Sequence, residues 1–172
     1  MTSNAEKEFL SKAQKEINQR IKTENKELEK LHVEQDELIH AIEGYTNFCN
    51  DLTKFLEESS NDFNVEPDKI HMYFKSNINE VYQNYVQIKR DALDEIDILE
   101  KYIKKNKRDL NSTKRTLKFY RSQYLDSDFF DECLPLVELY DEKIKIYENN
   151  EKNTLIIIEK LNEIIDILKE WK

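Results

Sequence analysis

In a chain of 172 residues with a net charge of −9, one glycine and two prolines leave almost no residues suited to tight turns, against about 7% and 5% in average proteins. Sheet folds, which need a turn roughly every ten residues, are excluded, as are the glycine-rich phosphate loops of nucleotide enzymes, since Gly44 stands alone. With 37% charged and 38% hydrophobic residues, the class that remains is all-α: an elongated antiparallel three-helix bundle or coiled coil of long helices, forming one domain over 1–172.

The first helix is predicted over about 4–59. It opens with a capping box, Ser3 followed by Glu6. Apolar residues then recur at alternating spacings of three and four, through Ile17, Ile21, Leu28, Leu31, Leu38, Ile42, Tyr45, Cys49, Leu52 and Leu56. Gln14, Glu24 and Gln35 are polar interruptions of that seam. The register passes through Gly44, which is kept inside the helix, and the loop formers Ser59-Ser60-Asn61-Asp62 are expected to end it.

Pro67 opens a second helix, predicted over 67–124, with a seam from Phe74 through Tyr85, Ile96, Ile103, Leu110 and Leu117 to Tyr124, a polar Asn106 within it and a weak point at Asn111-Ser112-Thr113. After Asp126-Ser127-Asp128, where Ser127 or Asp128 is a candidate cap, a third helix is predicted over 128–171, with breaks expected near Pro135 and near Asn150. Its seam reads Val137, Tyr140, Ile144, Tyr147, Glu151, Thr154, Ile158, Leu161, Ile165 and Leu168. A second stripe, Ile157, Ile164 and Trp171, runs beside it and widens the face enough to meet two neighbours.

Nothing in the first residues resembles a signal-peptide core, and no apolar run approaches the about 18 residues of a membrane span, so an intracellular protein, cytoplasmic or nuclear, is expected. Cys49 and Cys133 fall far apart in such a bundle and are read as reduced packing residues.

Catalytic chemistry finds little support. Glu29-x-x-His32 and Glu37-x-x-His40 have the spacing of helical di-iron ligands, but both lie on one helix and off its seam, where the chemistry needs facing helices. The carboxylate run Asp94, Glu95, Asp97 and Glu100 has no apolar pocket to shift a pKa. Thin bundles offer little concave surface to a small molecule. The expectation is a protein that is not an enzyme, with no cofactor, no metal and no small-molecule substrate.

The least random feature is a charge reversal. Between Lys101 and Arg121 stand nine basic residues and one acid, a net of +8 that leaves −17 on the rest of the chain; from Asp126 to Glu142 there are seven acids and no base. In a hairpin about Asp126-Ser127 the two stretches would zip together, Arg121 near Glu132 and Arg115 near Glu138. Alternatively Lys104, Lys105, Lys107, Arg108, Lys114, Arg115 and Lys118 face outward to an acidic partner or to phosphates. The aromatics gather around the two turns, and Phe129 and Phe130 join the candidate partner-binding residues, against the plainer reading that such rings plug the bundle ends. The functional expectation is a coiled-coil scaffold, tether or spacer subunit making protein–protein contacts in a larger intracellular assembly, with helical partners and a homodimer among them. The alternative is a peripheral membrane-binding rod, dimeric, that lays its basic stripe on anionic lipid. Nucleic acid is disfavoured by a pI near 5.0.

Overall fold

The capping box forms as expected: the Ser3 hydroxyl accepts from the Glu6 N–H at 3.1 Å, and the Glu6 carboxylate accepts from the Ser3 N–H at 3.3 Å. From it the first of four long helices runs without interruption. The computed structural model describes residues 3–124 and 130–172, the side chain of Phe130 excepted. The elements are α1 (Asn4–Phe63), a 3-10 turn (Pro67–Lys69), α2 (Ile70–Asn77), α3 (Asn79–Tyr124) and α4 (Phe130–Ile167), with no strand among the described residues. The protein is an all-α helical bundle. The candidate caps Ser127 and Asp128, and Phe129, lie outside the described residues.

Several boundaries differ from those read in the sequence. α1 does not stop at residue 59. Ser59 and Ser60 are buried, so their small side chains keep the helical packing going. The end comes at Asn64, in the left-handed region with φ 52°. The Val65 N–H reaches back to the Ser60 carbonyl at 3.0 Å and the Asn64 N–H to the Asn61 carbonyl at 3.3 Å, the paired bonds of a Schellman cap. The second predicted helix breaks at Ile78 instead of at Asn111-Ser112-Thr113. Ile78 takes φ −138° and ψ 65°. The amide side chains of Asn77 and Asn79 donate to the carbonyls of Tyr73 and Lys75, which satisfies acceptors at the interruption. On one unbroken helix Phe74 and Tyr82 would point about 80° apart; the break lets both bury to 2% exposure. Around residue 111 α3 is continuous, because Thr113 lies on the packed face between buried Leu110 and Leu117, where its hydroxyl is satisfied by the Asp109 carbonyl at 2.8 Å. Pro135 sits inside α4 near its start, where the ring removes a single helical donor. The polar stretch 148–153 is likewise helical, with Asn150 and Thr154 fully buried.

The chain divides into two compact units. The first is Met1–Asp36 with Lys105–Glu151, and the second is Glu37–Lys104 with Lys152–Lys172. In the first, Ile17, Leu117, Cys133, Leu136, Val137 and Tyr140 form one apolar cluster, and Leu28, Leu31, Leu110, Ile146 and Tyr147 another. The second has a larger core. It runs from Cys49 and Leu52 through Phe74, Tyr82, Val86, Ala92 and Leu99 to Ile157, Leu161, Ile164, Leu168 and Trp171.

Gly44 lies inside α1 with ordinary helical φ, and a Cβ added there meets nothing within 4 Å. Gly44→Ala is therefore expected to raise stability by about 0.5–1 kcal/mol through the lower entropy of the unfolded chain. Urea denaturation followed by circular dichroism checks this, and an unchanged or lower midpoint contradicts it.

Candidate functional site

The basic stretch of α3 divides by helical phase. Within the first unit, Lys107, Lys114 and Arg121 recur every seven residues and lie on the flank that meets α4. Lys107 pairs with Glu151 at 3.4 Å, Lys114 with Glu148 at 3.9 Å, and Arg121 with Asp141 at 2.9 Å. The charge zip exists, but not in the register expected: Arg121 meets Asp141, not Glu132. Long side chains lean toward the N-terminus of their own helix, so in an antiparallel pair both partners are displaced away from the count about the turn. Each pair is largely solvated and contributes about 0–1 kcal/mol. Together the three pairs set the orientation of α3 against α4 more than its stability.

The other basic residues of this unit do something different. Lys105, Arg108, Arg115 and Lys118 are exposed and form no ion pair among the described residues. Arg108 and Arg115 stand one heptad apart, on the side of α3 opposite the buried Asn106, Leu110, Thr113 and Leu117. Phe119 follows, 56% exposed, with its ring edge-on to Tyr120. Lys104 belongs to the second unit and is also exposed. Of the proposed partner-binding residues, the structure thus turns Lys105, Arg108, Arg115 and Lys118 outward and engages Lys107 and Lys114 with α4. Phe129 and the Phe130 side chain lie outside the described residues.

Of the polar seam residues, Asn106, Glu24 and Glu151 are engaged by other helices of the chain. The Asn106 side-chain amide donates to the Tyr147 carbonyl at 2.8 Å. Glu24 accepts from Lys143 at 2.5 Å and from the Tyr140 hydroxyl at 3.4 Å, while Lys143 also reaches Glu27 at 2.7 Å. Lys143 is 3% exposed and Glu24 6%, so this is a buried ion pair with a second, half-exposed acid at its edge. Burial opposes the Lys143 charge, but hydrogen bonds to Glu24 and Glu27 outweigh it and push the ammonium above its ordinary value. Burial, and next the Glu24 carboxylate, push the Tyr140 phenol up. Sequence reading noted Glu24 but missed Lys143, which it placed off the seam.

The sites weighed for chemistry are dispersed. His32 pairs with Glu142 at 3.4 Å, both half-exposed. Among the described residues no group of three or more His, Cys, Asp or Glu is placed to hold a metal ion. Cys49 and Cys133 are free and buried. Burial raises both thiols above their ordinary value, which lowers the thiolate fraction at neutral pH. No helix among the described residues is long and apolar enough to cross a membrane. Comparison with protein-family models, with curated proteins and with solved structures finds no match.

Proposed function

We propose that the protein is a non-enzymatic helical scaffold or tether subunit of an intracellular assembly, and that it docks an acidic protein partner on the outer face of α3. The observation that carries this reading is the division of the basic stretch. One flank is paired with α4, and Lys105, Arg108, Arg115 and Lys118 stand exposed without an acid partner among the described residues. These four cations concentrate positive potential on that face of an otherwise acidic chain, which favours encounter with acidic surfaces. Three polar seam residues support binding through this outer face instead of through the seam, since Asn106, Glu24 and Glu151 are engaged within the fold.

A second reading is a peripheral membrane protein, favoured by exposed Phe119 beside Arg115 and Lys118, the pairing of ring and cations that suits an anionic bilayer surface. Cross-linking of the native complex with an amine-reactive reagent separates the two. The expected result is links from Lys105 and Lys118 to another protein, lost in an Arg108→Glu, Arg115→Glu variant whose circular dichroism is unchanged. Links confined to the chain itself, together with sedimentation on phosphatidylserine vesicles but not on neutral ones, would replace the scaffold reading with the membrane one.

A further inference from the structure

A groove of about 260 Å³ opens in the second unit between α1 and α3, with Leu161 and Ile164 of α4 as its floor. Its walls are Tyr45 and Phe48 on one side and Ile88 and Ala92 on the other, and two carboxylates one turn apart, Asp91 and Glu95, complete the lining. We propose that this groove binds a small organic cation with an apolar body, of the arylalkylammonium class. The site is independent of the basic face of α3, and its chemistry is opposite in sign.

Three features select that ligand. First, the groove is smaller than the about 300–1,000 Å³ typical of drug-sized ligands, so it suits one ring or a short chain and not a docked helix. Second, neither Asp91 nor Glu95 forms an ion pair among the described residues, although Glu95 is half-buried. The Gln87 amide holds one Asp91 oxygen at 2.8 Å, which orients that carboxylate. Third, Tyr45 and Phe48 supply aromatic walls, whose faces attract a cation while their area takes up an apolar body. The charge of Glu95 reaches into the groove: burial, then the Glu95 carboxylate, push the Tyr45 phenol up. A bound ammonium would supply the counter-charge that the fold leaves out, and a neutral apolar molecule would not.

The test titrates the full chain, labelled at isoleucine methyl groups, with phenethylammonium, 2-phenylethanol and n-butylammonium in turn. Phenethylammonium is expected to give saturable shifts at Ile88 and Ile164, with the neutral alcohol about tenfold weaker or more. Glu95→Gln is expected to weaken phenethylammonium by about tenfold without altering the methyl spectrum of the free protein, and Asp91→Asn repeats the measurement should Glu95→Gln perturb the fold. Equal binding of alcohol and ammonium, or no saturable shift up to the solubility of the probe, overturns the proposal. Tighter binding of n-butylammonium also overturns it, because the groove would then be the seat of an inserted lysine side chain from a partner.

Discussion

Lys143→Ala is expected to destabilise the first unit by about 3–5 kcal/mol, because it strands the buried Glu24 carboxylate without its counter-ion. The geometry explains the size. Lys143 and Glu24 are both buried, with their charged atoms 2.5 Å apart, and Glu27 holds the ammonium at 2.7 Å from the solvent side. Removing both charges is a different experiment. A Lys143→Met, Glu24→Leu double variant trades ion pair for apolar contact, and such exchanges are often neutral or stabilising. Hydrogen exchange at amides of 17–31 and 136–147 reads the effect within the unit. Equal losses in the single and double variants would show that packing, not the unpaired charge, sets the cost. The pair also predicts a pH profile. The hydrogen bond from Lys143, against the smaller opposing effect of burial, holds Glu27 below its ordinary value of 4.5. A depressed carboxylate contributes stability that is present above pH 4.5 and is lost as pH falls through the lowered value. Lys143, raised above 10.5, contributes stability present below that pH and lost as pH rises through the raised value. Stability should therefore hold between these limits, and the double variant should lose the acid-side contribution of Glu27.

Trp171→Ala is expected to cost the second unit about 3–5 kcal/mol, the range for emptying a buried aromatic site. Trp171 is 2% exposed. Its ring stacks on Tyr82 at 5.4 Å, meets Tyr85 edge-on at 5.1 Å and lies 5.8 Å from Phe74. Backbone contacts hold the same segment. The Lys172 N–H donates to the Tyr82 hydroxyl at 2.8 Å, that hydroxyl donates to the Lys172 carbonyl, and the Lys89 ammonium reaches the Lys169 carbonyl at 3.1 Å. The loss of the ring leaves a void among three aromatics held by α2 and α3, so collapse is restricted and the cost falls high in the range. Thermal unfolding followed by tyrosine near-ultraviolet circular dichroism measures it, with Trp171→Phe as the milder control. A change below about 1 kcal/mol would mean that the segment is held by its backbone contacts alone.

The four- and three-residue spacing of apolar side chains, the shortage of Gly and Pro and the Ser3–Glu6 cap were enough to determine helix type, approximate length and order, because those depend on local geometry and on which face must leave water. The seam of α4 shows where this stops. Read from three- and four-residue spacing it passes through Ile144, Glu151, Ile158 and Ile165, all only partly buried; the packed line runs through Tyr140, Lys143, Tyr147, Asn150, Thr154, Ile157, Leu161, Ile164 and Leu168. Lys143 and Asn150 hide that line, since a polar residue on a seam is recognisable only when its partners on another helix are known. The same holds for the break at Ile78, required by an aromatic cluster assembled from α1, α2, α3 and the segment after α4, and for the basic stretch. Composition alone determined that a helix of this acidic chain carries a surplus of positive charge. Which cations are neutralised and which face solvent was decided by the lean of side chains across an antiparallel interface, a relation between helices that no spacing along one of them encodes.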